Sequence, residues 1–334
     1  MAKLSKNQLL QKFEDAVQAS GWNLLYRSRG YHPALYTVWQ GEQRFRVKVY
    51  IWNITFGGRA SLAHEYRIQV TGVDKFEQER NGRTLVLGYW DDIDVFAGWD
   101  VRQHAGALGA SPSLQINETA LQKAEASGFA PYIKGNGETA IALSPDFMST
   151  YIQNLESLHD SGKVPKEFEV LTRISDDPED VDEEEIDDEV AAKRRRALVS
   201  TWKTVRANGF GRRVLTAYSH KCAMCGVQLK LVEGAHIVPV GEPTSTDVTA
   251  NGIALCVLHH RAYDRSLVTF DKAYRVHTNA QAIRILQEDD KIAGLAKFKA
   301  ALRPIITTPP DKRDHPKPAF VDKANSLRGW KLKG

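Results

Sequence analysis

Cysteine is scarce in this chain: three residues among 334. An odd number cannot pair fully, so the cysteines do not form a closed disulfide framework. No apolar run approaches the ~20 residues that span a bilayer. The opening Met1-Ala2-Lys3-Leu4-Ser5-Lys6 leads straight into an amphipathic segment, without the charged-then-apolar pattern of a secretory signal. These absences point to a soluble protein, expected in the cytoplasm. Net charge is also nearly lacking, at +4, but that figure conceals an uneven division. Residues 1–165 carry 17 basic and 17 acidic side chains, residues 166–190 carry 2 and 13, and residues 191–334 carry 26 and 11. The C-terminal part alone nets +15, a charge that would be drawn to phosphate backbones.

All three cysteines fall in one run, from Cys222 to Asp264. Cys222 and Cys225 form C-x2-C, and Cys256 and His259 form C-x2-H. Two pairs of thiolate and imidazole donors, on two different elements, are what tetrahedral zinc takes. Ordinary buried thiols are the bland alternative, and a disulfide the weaker one. The zinc reading places Cys256 and His259 at the start of a helix, one turn apart. His259 and the adjacent His260 then point about 100° apart. His260 instead shares a face with Asp264, four residues on.

Threaded through the cysteine pairs are A-H-I-V-P around His236, N-G-I-A-L-C from Asn251, and H-H-R-A-Y-D ending at Asp264. Across roughly Arg212 to Asp271, this arrangement resembles the HNH endonuclease family, whose core is a β-hairpin, a loop and a helix around a divalent metal. The phrases look most like the modules of restriction and defence nucleases. The resemblance implies that His236 is a general base that takes a proton from water as it attacks a phosphodiester. It implies that His260 ligates a divalent cation, Mg2+ or Mn2+, with Asp264 as second ligand. Asn251 would fix the loop that carries His236, or touch the metal itself. One position departs from the pattern. Many members carry a carboxylate or histidine ligand directly before the base, and here that position is Ala235. Arg212, Arg213, Lys221, Arg261 and Arg265 flank these motifs and are the candidate DNA contacts.

The N-terminal region shows helical periodicity over Lys6 to Ala19, through Leu9, Leu10, Phe13 and Val17. Strand-like stretches follow at Ala34–Gln40, Phe45–Ile54, Tyr66–Thr71, Thr84–Tyr89 and Ile93–Trp99. Leu121–Ser127 and Pro145–Asp160 read as helices. Five of the seven tryptophans lie here: Trp22, Trp39, Trp52, Trp90 and Trp99. They predict a tryptophan-rich core, with a base-stacking pocket as the functional alternative. Asp92 and Asp94 lack the Glu-x-Lys that a second nuclease centre would need. Arg27, Arg29, Arg44, Arg46 and Arg59 are candidate phosphate contacts.

The expected architecture is α+β. A mixed DNA-recognition domain (1–165) is followed by an acidic then basic linker (166–197), a zinc-stabilised HNH domain (198–303) and a basic C-terminal tail (304–334). The expected function is a restriction-type endonuclease acting on double-stranded DNA, with structural Zn2+ and catalytic Mg2+ or Mn2+. One HNH centre has one base and one metal, so cutting both strands calls for a homodimer. A modification-dependent endonuclease is the nearest alternative. A zinc-stabilised DNA-binding protein with an inactive HNH core is the alternative from another class, to which Ala235 lends support.

Overall fold

Ser5 and Gln8 exchange hydrogen bonds across the first turn of helix α1, Lys6–Ala19, a capping box that satisfies donors the helix leaves open. The helix buries Leu9, Leu10, Phe13 and Val17, the stripe read from the sequence. The computed structural model describes residues 3–28, 32–58 and 62–332. Arg29 and Arg59 lie outside the described residues. The chain divides into two compact units, Met1–Arg206 and Ala207–Gly334.

Unit 1 is built on a sheet. After α1 come β1 (Asn23–Tyr26), β2 (Ala34–Gln40), β3 (Gln43–Phe56), β4 (Glu65–Gln69), β5 (Arg83–Trp90), β6 (Val95–Trp99), β7 (Ser113–Asn117), helix α2 (Glu118–Ser127), β8 (Phe129–Ile133) and β9 (Thr139–Leu143). Helices α3 (Met148–Ser161), α4 (Pro165–Asp176), α5 (Glu183–Glu189) and α6 (Ala192–Ala217) follow. The main path runs β1-β2-β3-β5-β6-β9-β8, and β4 and β7 extend from the far end of β3. Only the β3–β5 pairing is parallel among these strands.

The central strands bury both faces, and side chains alternate between them. Val47, Val49 and Ile51 of β3 join Phe13, Leu155 and Leu171 in one core. Tyr50, Trp52 and Ile54 join Trp99, Leu121 and Ala124 in a second core on the other face. Trp22, Trp52 and Trp99 are thus core residues, as a tryptophan-rich core requires. Arg46 pairs with Glu79 at 2.7 Å, and Arg27 donates to Thr37. β1, β7, β8 and β9 were not foreseen. Thr139–Leu143 is buried along its whole length, so it lacks the polar–apolar alternation that marks a half-exposed strand. It is a strand because it pairs with β6 on one side and β8 on the other.

The stretch expected as a linker is folded. Val170, Leu171 and Ile174 of α4, together with Val181, Ile186 and Val190, are buried in the first core of unit 1. Asp182 caps α5, and Glu183, Glu184 and Glu185 occupy its first turn, where the helix dipole favours negative charge. Glu167 is 2% exposed and receives both arms of the Arg194 guanidinium at 2.6 Å. Arg195 pairs with Asp187, and Lys203 with Glu183. The run of carboxylates hid an amphipathic stripe, and its apolar residues rather than its charge decided where it went.

Unit 2 takes the last turns of α6, then β10 (Val232–His236), β11 (Gly252–Cys256), α7 (Val257–Asp264), β12 (Val268–Phe270), β13 (Val276–Thr278), α8 (Ala280–Glu288), α9 (Leu295–Ala301) and α10 (Pro318–Leu327). Phe210, Val214, Ile253, Leu255, Tyr263 and Phe270 are buried in its core. The expected C-terminal tail is folded as well. Ile306, Val321 and Ala324 enter that core, and Asn325 hydrogen-bonds Thr269 and Phe270.

Candidate active site and metal cluster

The hairpin β10–β11 is antiparallel, with Val232 opposite Cys256 and His236 opposite Gly252. Helix α7 begins immediately after Cys256. Two glycines let α6 lie close on the hairpin. A Cβ at Gly234 would stand 2.9 Å from the Gly211 Cα, and one at Gly252 would stand 2.2 Å from Val214 Cγ2. Hairpin, connecting loop and helix are the ββα arrangement expected from the motifs.

Cys222, Cys225, Cys256 and His259 converge, with all four ligand atoms within 4.8 Å of one another. Cys225 Sγ and Cys256 Sγ are 3.9 Å apart, and Cys222 Sγ is 3.6 Å from His259 Nδ1. Zinc–sulfur bonds of ~2.3 Å at tetrahedral angles imply a sulfur–sulfur edge of about 3.8 Å. The donor set therefore fits a tetrahedral ion. The C-x2-C turn is held by Gly226 at φ +83°, a conformation that favours glycine. Gly226 N donates to the Cys222 carbonyl. Arg303 N and Thr307 N tie the C-terminal segment to the carbonyls of Met224 and Ala223. Burial pushes the Cys225 thiol up to about 12, and the Cys222 thiolate adds to this. Burial also opposes ionisation of Cys222, yet hydrogen bonds led by that of His259 bring it down to about 6. The three thiols cannot all ionise alone, and a divalent cation among them would allow it.

His236 ends β10. Its ring stacks on Phe210, with centroids 3.6 Å apart and planes at 14°. Its Nε2 lies 2.8 Å from Asp247 Oδ1. Arg213 donates to the Asp247 carbonyl at 2.7 Å, which fixes the loop. Asn251 is fully buried. Its Oδ1 accepts from Val238 N, and its Nδ2 donates to the Thr246 carbonyl and the Ser245 hydroxyl. These three bonds staple the loop between His236 and Asn251.

His260 sits on the outer side of α7, with Nδ1 2.6 Å from Glu233 Oε2 and Nε2 3.7 Å from Asp264 Oδ2. The hydrogen bond to Glu233 raises its pKa above the usual imidazole value, and His260 in turn lowers that of Glu233. The adjacent histidines are thus divided as spacing predicted: His259 faces the cysteines and His260 faces Asp264. Of the candidate DNA contacts, Lys221, Arg213, Arg261 and Arg265 are exposed and Arg212 is half-buried. Sequence reasoning missed Phe210, Asp247 and Glu233. Period-two alternation would have put Glu233 on the face of Ala235, but nothing local marks Asp247.

Residues 222–271 match the HNH endonuclease family, and this part of the chain is an HNH endonuclease domain. Residues 45–152, within unit 1, match the family described as Methylase-associated X1. No curated protein matches the chain. A solved structure titled "Modification dependent TagI restriction endonuclease" matches over 84% of this chain and 80% of its own, at 11% identity and a TM-score of 0.30. No helix among the described residues is long and apolar enough to cross a membrane.

Proposed function

We propose that this chain is a restriction-type DNA endonuclease, in which unit 1 chooses the target and unit 2 hydrolyses the phosphodiester. The observation that carries the reading is the paired arrangement on one hairpin and helix: His236 held by Asp247 at 2.8 Å, and His260 beside Asp264 at the next element. The description Methylase-associated for the family matched by residues 45–152 suits a nuclease that works beside a methylase.

In this reading His236 is the general base. Asp247 accepts its Nε2–H, which leaves the Nδ1 lone pair to take a proton from the attacking water. Stacking on Phe210 fixes the ring plane. Asn251 holds the loop that supports both His236 and Asp247, and this positioning role is the one its hydrogen bonds favour. His260 and Asp264 offer one imidazole and one carboxylate, a donor set suited to Mg2+ or Mn2+ that retains waters. When bound there, the cation supplies charge stabilisation to the phosphate and the leaving oxygen. Cys222, Cys225, Cys256 and His259 would hold a structural Zn2+. Exposed Arg213, Lys221, Arg261 and Arg265, with Arg212, would meet the DNA backbone. A homodimer would provide two centres for two strands.

The test is incubation of full-length protein with plasmids of differing methylation in Mg2+ or Mn2+, followed by sequencing of the ends. Ends clustered at one short sequence, lost when that sequence is methylated, are expected. Cleavage only of methylated plasmid would replace this reading with the modification-dependent one. No metal-dependent cleavage of any plasmid, with DNA binding retained, would leave the inactive-core alternative.

A further inference from the structure

Strand β10 presents two faces. Gly234 lies against Gly211 and Val214 of α6, and His236 stacks on Phe210 of the same helix. Glu233 and Ala235 alternate with them and take the opposite face. Ala235, at the position where the resembled family places a ligand, is 2% exposed and packed in the core. The carboxylate on this face is therefore displaced two residues back along the strand, to Glu233. There it meets His260 Nδ1 at 2.6 Å, while the other ring nitrogen is turned towards Asp264.

A neutral imidazole has one N–H and one lone pair, and only the lone pair binds a cation. A carboxylate against Nδ1 takes the N–H at that atom and leaves the lone pair at Nε2. We propose that Glu233 is a positioning residue for the catalytic cation. It holds His260 in the Nδ1–H tautomer and locks the ring, so that Nε2 and the Asp264 carboxylate form a ready pair of donors. The proposal rests on the HNH reading of His260 and Asp264 given above. It explains how the site dispenses with a ligand at Ala235: ring orientation and basicity at His260 replace a donor bond. Such partners of a ligating histidine typically contribute about 10–100-fold in metal affinity.

The experiment is a Mn2+ titration of the full-length, zinc-loaded protein without DNA, with free Mn2+ read by electron paramagnetic resonance. Wild type, Glu233→Gln, Glu233→Ala and His260→Ala are compared. Zinc content and circular dichroism confirm that each is folded. Glu233→Ala should weaken the Mn2+ site about 10–100-fold. Glu233→Gln, whose amide oxygen still accepts from Nδ1–H, should retain most of the affinity. His260→Ala should abolish the site. Wild-type affinity in Glu233→Ala would overturn the role of Glu233 while leaving the site itself standing. Equal loss in the Gln and Ala variants would overturn it in favour of direct ligation. Absence of a Mn2+ site in the wild type would overturn both this proposal and the reading on which it rests. Should Glu233→Ala fail to fold, the isosteric Gln variant still decides between positioning and ligation.

Discussion

Unit 1 and unit 2 solve the same problem with different means. Unit 1 has a sheet whose central strands are buried on both faces, two apolar cores, and partly buried ion networks such as Asp100–Arg102–Asp160, with both contacts at 2.8 Å. Unit 2 has one smaller core, short strands, and a cluster of three cysteines and a histidine set into it. A small hydrophobic interior supplies limited stability, and structural metal is a common remedy. The difference bears on the placement of His260, the histidine proposed to ligate the catalytic cation. The cluster ties the end of β11 and the start of α7 to the Cys222–Cys225 turn, so His260 is carried on an element fixed by His259, its neighbour. The unit with the smaller apolar core is the one that carries the proposed base and cation ligands.

The largest expected effect breaks this comparison outright. On the proposal that the cysteine cluster holds zinc, chelation or Cys222→Ser should abolish the melting transition of unit 2 and leave that of unit 1 in place. Structural zinc contributes roughly 10–16 kcal/mol in small domains. Calorimetry showing both transitions unchanged after the metal is stripped would remove zinc from the account of unit 2.

Next in size is catalysis. His236→Ala should lower plasmid cleavage by ~10²–10⁴-fold, the usual contribution of a general base, with zinc content and both melting transitions intact. Cutting at near the normal rate would exclude His236 as the base.

A third change sharpens the boundary between the units. Leu171 is fully buried on α4, in the stretch whose charge suggested a linker. Leu171→Ala should cost about 2–5 kcal/mol, read as a lower denaturation midpoint of unit 1 alone. A change inside ±0.5 kcal/mol, as expected of an exposed residue, would return that stretch to the solvent.

The smallest effect is a pH dependence confined to unit 1. Burial alone would raise the pKa of Asp100, but its hydrogen bonds with Arg102 prevail and hold it below the ordinary 3.8. A carboxyl with a lowered folded pKa adds stability above its unfolded value, and that stability is lost as the pH falls through the folded value. Asp100→Asn should therefore destabilise unit 1 at neutral pH, and the gap from wild type should close below pH 3.8. Urea melts at a series of pH values would show this, and a gap that stays constant into acid would refute the linkage.

Legibility differed between the two units for a physical reason. In unit 2 the chemistry-bearing residues announce themselves, because donor spacing and helical phase are properties of short segments. Cys222, Cys225, Cys256 and His259 came together as their spacing implied, and His260 parted from His259 as a helix requires. In unit 1, α1 and β2 were read to the residue, since their apolar periodicity is strong. β9 escaped notice because a short strand buried on both faces shows no polar–apolar alternation. α4 and α5 escaped because net charge is averaged over a segment, while burial depends on a few side chains within it.

The sequence by itself determined the class of chemistry: a pair of C-x2-C and C-x2-H donors, a histidine ahead of a proline-bounded loop, and a histidine and aspartate one helical turn apart. Local periodicity suffices for these, because each is set by the geometry of one strand, turn or helix. Tertiary structure alone decided the partners. Asp247 reaches His236 across an eleven-residue separation in a loop stapled by Asn251. Glu233 meets His260 only because β10 packs beside α7. The acidic segment joined unit 1 because Val170, Leu171, Ile174 and Ile186 had a core to enter. Contacts between distant segments depend on which surfaces the fold brings together, and no short window of sequence contains that information.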